Sequence, residues 1–214
     1  MFGRSTFVPA LALCVAAPLG VLSATLTFDC AKVPNICSND CYAIQCLGKP
    51  STLHRDSANA STRRQQTACQ SPNRCSGNPT DSNSCDEYPY ASSIEGGAGS
   101  ATRCVPSAEN SSQGGSLSSF YRSAGVADGD AYNVAFKGSS GLQYCSGSCT
   151  NSGNELVKRY PVATQYNRRE FETEDGETIL MFEPVGQRGL LDSVVGTDAF
   201  LGDEERSVKI VKAL

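Results

Sequence analysis

Apolar positions fall into distinct regimes along the chain. Residues 7–17 form an unbroken run, Phe7-Val8-Pro9-Ala10-Leu11-Ala12-Leu13-Cys14-Val15-Ala16-Ala17, preceded by Arg4 and followed by small residues to Ser23-Ala24. A positive start, a short apolar stretch and a small-residue cut site read as a secretory signal peptide over residues 1–24. The run is too short for a membrane span and no stop-transfer flank follows it. From 25 to 80, long apolar runs are scarce, which predicts a loop-rich layer with short helical turns around Tyr42-Ala43-Ile44-Gln45. The pattern tightens between 81 and 125. Cys85–Ala91 reads as a strand end, Glu95–Ser100 as a glycine turn, Ala101–Pro106 as a returning strand, and Ser116–Arg122 as a short helix stopped by Gly125. Asp130–Phe136 alternates like a further strand of the same sheet. Beyond residue 154, Thr178-Ile179-Leu180-Met181-Phe182 reads as a strand, and Glu204–Leu214 as either strand or helix. The implied organisation is a signal peptide at 1–24, a domain at 25–154 (a cysteine-rich layer at 25–80 and a core at 81–125), and an extension at 155–214.

Cysteine content sharpens this picture. The chain has 11 cysteines, and cleavage near Ala24 would remove Cys14, leaving Cys30, Cys37, Cys41, Cys46, Cys69, Cys75, Cys85, Cys104, Cys145 and Cys149. An even set in an exported chain implies up to five disulfides, whose pairing spacing does not reveal. The competing reading is zinc, suggested by Cys37/Cys41 and Cys145/Cys149. Both spacings are CxxxC and no histidine stands near, which favours disulfides.

Several function classes fall away. With one histidine, His54, the chain has no means to build a histidine-rich zinc site or a histidine-centred nuclease motif. Chemistry must therefore run on carboxylates, amides or hydroxyls. No window after residue 24 approaches a membrane span. His54-Arg55-Asp56 mimics a kinase triplet, yet the other kinase motifs are missing, as is a Gly-x-Ser-x-Gly esterase elbow. Arg55, Arg63, Arg64 and Arg74 make residues 25–80 locally basic, either as ordinary surface or as a stripe facing a polyanion. Without the leader the chain holds 17 basic against 22 acidic residues, and 8 against 12 fall in 155–214. Asn59-Ala60-Ser61 and Asn110-Ser111-Ser112 fit the N-glycosylation pattern.

The candidate chemistry crowds into 86–113. Asp86 and Glu87 are adjacent carboxylates beside Tyr88 and Tyr90, and Glu95, Glu109 and Asn110 follow. Paired, shielded carboxylates acquire raised pKa values suited to a general base. Oxygen donors from Asp, Glu and Asn suit magnesium, manganese or calcium.

The run Cys85-Asp86-Glu87-Tyr88-Pro89-Tyr90-Ala91-Ser92-Ser93-Ile94-Glu95-Gly96-Gly97, then Val105-Pro106-Ser107-Ala108-Glu109-Asn110 and Gln113-Gly114-Gly115-Ser116, resembles the NucA/NucB family of secreted deoxyribonucleases. Bacterial members have Asp-Glu-Trp-Pro, Glu-Gly-Gly, and Asp-Asn before a Gly-containing Ser element in the same order, so Tyr88 stands where they have Trp. The resemblance implies an α+β fold: a small disulfide-rich domain with a ββα-metal-like core of antiparallel strands plus a short helix, and a C-terminal extension. It implies Glu87 as general base where ββα-metal relatives use histidine, with Asp86 assisting. It implies Asn110 on one divalent cation, Mg or Mn, with Glu95 and Gln113 as further metal candidates. Glu95 has the alternative of organising the glycine turn, and Gln113 that of capping the helix. Arg103 and Arg122 are candidate phosphate contacts. The expected protein is a secreted, monomeric, membrane-free endonuclease acting on DNA, with RNA as the alternative substrate. The competing function is a non-catalytic disulfide-rich binding or effector protein on the same scaffold.

Overall fold

The structure, a computed structural model, describes residues 23–78, 80–157, 164–187 and 189–214. The signal-peptide reading of 1–24, Cys14 included, lies almost wholly outside them. In chain order the strands are β1 (Ala24–Asp29), β2 (Thr52–His54), β3 (Ser84–Tyr88), β4 (Ala101–Val105), β5 (Ala131–Lys137), β6 (Glu155–Val157), β7 (Tyr166–Thr173), β8 (Thr178–Pro184), β9 (Asp198–Leu201) and β10 (Arg206–Ala213). Helix α1 (Pro34–Cys41) runs into a π-helical turn at Tyr42–Cys46, and α2 (Ala60–Gln66) and α3 (Ser107–Ser123) complete the set.

Six strands close into a barrel in the order β1-β9-β10-β7-β8-β5, and β5 returns to β1. β1 lies parallel to both neighbours, with Leu26 opposite Val134 on β5 and opposite Phe200 on β9. The other barrel pairings are antiparallel, and β2 adds to β5 from outside the ring. A second sheet, β3-β4-β6, is small and antiparallel. The expected α+β domain with a ββα-metal-like core is therefore corrected: this is a mostly-sheet protein centred on a closed six-stranded barrel. The local strand and turn signals in 84–105 do form β3 and β4, but barrel closure depends on pairings between residues more than 100 apart, such as Thr25 with Ala199. No local pattern carries such information. Residues 155–214 supply β6 and four of the six barrel strands, β7 to β10.

Strands β1, β5, β8 and β9 are buried on both faces, whereas β7 and β10 turn one face to solvent. Phe171, Ile179, Met181, Leu201, Val208 and Ile210 pack together in the barrel interior. The alternate positions Leu26, Phe28, Val134, Phe136, Leu180, Phe182 and Phe200 point outward into a second core, shared with Ile36, Ile44, Tyr88, Val105, Leu117 and Phe120 of the helices and small sheet. Two-sided burial is why Ile179–Phe182 is continuously apolar rather than alternating. All ten cysteines among the described residues are paired: Cys30–Cys37, Cys41–Cys145, Cys46–Cys149, Cys69–Cys85 and Cys75–Cys104. Two bridges tie α1 and its π-turn to the segment before β6, and two tie the region around α2 to the β3–β4 hairpin.

Helix α3 begins nine residues earlier than the Ser116 start expected from sequence, despite Gly114 and Gly115. Its buried side, Gln113, Ser116, Leu117 and Phe120, keeps helical spacing and seats it on the barrel wall. The β9–β10 turn meets it closely: a Cβ on Gly202 would stand 2.6 Å from Ser116 Cβ. Gly202→Ala is expected to displace α3 and cost about 1–3 kcal/mol. A thermal melt against wild type measures this, and an unchanged Tm would contradict the packing described.

Candidate active site

β3 is an edge strand of the small sheet, so one side of its backbone lacks a strand partner. Helix α3 lies along that side. Asn110 donates from Nδ2 to Ser84 Oγ at 2.8 Å and to the Cys85 carbonyl at 3.3 Å. Donation to a carbonyl fixes which way the amide points and leaves Oδ1 as its free acceptor. Asn110, Gln113, Gly114 and Leu117, spaced i, i+3, i+4 and i+7, present one face of α3 to a cleft of about 210 Å³. Asp86, Glu87, Tyr90 and Arg64 line the rest. A Cβ on Gly114 would meet nothing within 4 Å, so the helix leaves its side of the cleft open.

Strand alternation sends the adjacent carboxylates in different directions. Asp86 is 1% exposed, and its Oδ2 accepts from Asn39 Nδ2 of α1 at 2.8 Å. Its Oδ1 is buried with no partner, and Gln113 Nε2 is likewise unpartnered. Burial pushes the Asp86 carboxyl up to about 7, against the pull of Asn39 and of the nearby Gln113 amide, whose approach falls short of hydrogen-bond geometry. Glu87 is 7% exposed and turns toward α2, where Thr67 Oγ1 donates to it at 3.0 Å and Arg64 Nε stands 3.5 Å away. Burial raises its pKa too, opposed first by the Arg64 charge. Behind them, Asp40 is fully buried and accepts a 2.7 Å bond from Tyr90. Desolvation, aided by the Asp86 charge, holds Asp40 well above the carboxylate range.

The structure brings Asp86, Glu87, Asn110 and Gln113 together. The other expected site residues stand elsewhere. Glu95 accepts from the His54 backbone N–H at 3.0 Å and meets His54 Nδ1 at 2.7 Å, so both its oxygens are engaged away from the cleft. The Glu-Gly-Gly segment instead buttresses the site from behind, since a Cβ on Gly96 would lie 2.2 Å from the Tyr90 carbonyl oxygen. Arg103 pairs with Glu155 and donates to Asn35 at 3.1 Å. Arg122 is exposed near the end of α3, outside the cleft lining. Glu109 caps α1, accepting from the Asn35 backbone at 2.8 Å and its side chain at 2.7 Å. Sequence reasoning missed Asn39, Asp40, Arg64 and Thr67 as neighbours of the acids. The one available signal was a polar Asn-Asp pair inside a helix pinned by Cys37 and Cys41.

Among the described residues, no three His, Cys, Asp or Glu side chains cluster as a ready metal cage. The donors that do converge are two carboxylates and two amides, with Asp86 Oδ1 unpartnered in the interior. That set suits a small, hard divalent ion that keeps several waters and takes few protein ligands.

A nuclease is the class this acid-and-amide cleft fits, and comparison with known families agrees. The profile of the family described as Deoxyribonuclease NucA/NucB matches residues 40–135. Over those residues the chain is similar to that family. The matched segment contains every residue lining the cleft. No curated protein matches the chain.

Two outcomes are expected. A carboxyl raised from its unfolded value near 3.8 to about 7 binds its proton more tightly in the folded state. Its contribution therefore weakens stability as pH rises from about 4 through 7, by up to ~4 kcal/mol at 1.36 kcal/mol per pKa unit. Asp86→Asn should raise Tm at pH 8 and flatten the pH dependence in chelator-treated protein; an unchanged profile would mean that Asp86 is solvated. Because Asn110 Nδ2 is committed to Ser84 and Cys85, its sequon is expected to be unmodified, and a glycan found there by peptide mass spectrometry would contradict the site.

Proposed function

We propose that the protein is a secreted, metal-dependent DNA endonuclease of low sequence specificity whose general base is a carboxylate. The observation that carries this reading is the Asp86–Glu87 pair, desolvated at the edge of β3 and faced by the amides of Asn110 and Gln113 across an open cleft. Similarity of residues 40–135 to a family of deoxyribonucleases supports DNA as substrate. Five disulfides support an oxidising, extracellular setting.

Glu87 takes the proton of the attacking water. Its raised pKa makes it a stronger base than a surface glutamate, while Thr67 and Arg64 hold its orientation. As the water oxygen bonds to phosphorus, the bond from phosphorus to the departing sugar oxygen breaks, and that oxygen takes up a proton from solvent. Asp86, fixed by Asn39, would with Asn110 Oδ1 and Gln113 hold one Mg or Mn ion, whose charge would offset that of the carboxylate beside the phosphate. Such an ion, when bound, supplies Lewis-acid stabilisation of the phosphate charge and of the leaving oxygen. Arg64, 61% exposed at its side chain, is free to swing from Glu87 to a substrate phosphate. The bare flank at Gly114 lets a phosphodiester approach the helix backbone. The net negative charge suits a hydrolase that binds its polyanion transiently.

The test is plasmid cleavage with magnesium or manganese, with and without EDTA, by wild type and Glu87→Gln. Wild-type cleavage should vanish with chelator, and Glu87→Gln should lose about 10²–10⁴-fold in kcat. Full activity in Glu87→Gln would overturn the mechanism, whereas an oxidised, folded wild type that cleaves under no divalent ion would favour the binding-protein reading. Parallel digestion of RNA decides the sugar preference.

A further inference from the structure

The four arginines of residues 25–80 differ in what neutralises them. Arg63 pairs with Asp56, Arg55 with Asp128 and Arg64 with Glu87. Arg74 has no carboxylate within ion-pair distance among the described residues. Its Nη2 is tethered to main chain instead, donating to the Thr102 carbonyl at 2.7 Å and the Asn154 carbonyl at 3.0 Å. These bonds leave the guanidinium preoriented and without a direct ion pair; the one carboxylate whose charge reaches it, Glu155, is itself bonded to Arg103 and Tyr144.

Arg74 borders a second groove of about 340 Å³, lined also by Asn35, Asn78, Thr80, Ser82 and Arg103. The lining is amide, hydroxyl and guanidinium, and Arg103 is already neutralised by Glu155. The groove lies next to the catalytic cleft. Arg103 of β4 stands directly opposite Asp86 of β3, and cross-strand partners are about 5 Å apart. Asn35 is bonded to Glu109, the residue before Asn110. Arg74 is bonded to the carbonyl of Thr102, the cross-strand partner of Glu87, and a nucleic-acid strand carries a phosphate about every 3.4 Å of duplex axis, so a strand engaged at Asp86–Glu87 presents further phosphates along this hairpin.

We propose that the Arg74 groove is a phosphate subsite, binding the sugar–phosphate backbone of the substrate strand a few nucleotides from the scissile bond. It extends the nuclease reading and rests on it. A lone, preoriented guanidinium amid neutral donors recognises a phosphodiester by charge and hydrogen bonding and reads no base. The groove therefore adds affinity for long polynucleotides without adding sequence preference.

The test separates this subsite from catalysis. Fluorescence anisotropy of a labelled oligothymidylate, in EDTA so that cleavage plays no part, is measured across a salt series for wild type, Arg74→Gln and Thr80→Glu. Thr80 is exposed and touches neither carbonyl that holds Arg74, so Thr80→Glu stays informative even where Arg74→Gln fails to fold. Arg74→Gln should weaken binding about five- to tenfold and make the log–log salt slope shallower by about 0.7, the loss of one phosphate contact. Thr80→Glu should weaken binding in the same direction by like-charge repulsion. Unchanged affinity and slope in both variants, or no oligonucleotide binding by wild type, overturns the proposal. Arg74-dependent binding by a protein that never cleaves would sink the nuclease reading and leave the subsite standing. Cleavage with Arg74-independent binding would do the reverse.

Discussion

Closing six strands into a barrel, four of them buried on both faces, is the constraint on which everything else rests. The interior packs on itself through residues such as Phe171 and Ile210, and the apolar outer face of β1, β5, β8 and β9 requires a covering layer. Helices α1 and α3 and the small sheet provide it, brought down on Leu26, Phe28, Phe136 and Phe182. Five disulfides then hold that polar-rich layer, which has too few apolar residues to stay ordered by burial alone. The cleft sits between two parts of the covering layer, α3 and the free edge of β3, so its position follows from how the layer lies on the barrel.

Electrostatics follow from that placement. Asp40, Asp86 and Glu87 are removed from water by the layer that α1, α2 and β3 share, and each is left with one or two hydrogen bonds where solvent would supply more. Desolvating them costs stability and raises their proton affinity: burial pushes the Asp86 carboxyl up to about 7 and lifts that of Glu87 above the ordinary glutamate value. Asn39 and Thr67 restrain the orientation of these acids, and Asp40 with Tyr90 fills the space behind them.

Legibility in the sequence tracked the range of the interaction concerned. Asp86, Glu87, Asn110 and Gln113 were recognisable as a group because one hairpin and one helix, consecutive in the chain, carry them. Glu95 and Arg103 sit in the same stretch, yet His54, Glu155 and Asn35 claim them, and those partners lie at least 41 positions away. Strand β1 is hard to read because Ala24–Asp29 follows closely on an apolar run and alternates Leu26 and Phe28 with buried threonines. The barrel escaped notice because four of its strands fall in a stretch whose acidic surplus suggested an appendage. Those charges lie in the turns and on the exposed faces of β7 and β10, where the buried positions between them are few.

The parallel placement of β1 between β5 and β9 has a consequence for the timing of assembly. Its partner on one side, residues 132–137, leaves the ribosome well before its partner on the other, residues 199–201. Until that second partner arrives, one edge of β1 is open and the wall beneath α3 is incomplete. A chain stalled or clipped before β9 therefore carries every cleft residue in its sequence and still lacks the surface that holds them in register. The cleft's geometry depends on β9 and β10, and a fragment bearing only the family-matched segment is not expected to hold it.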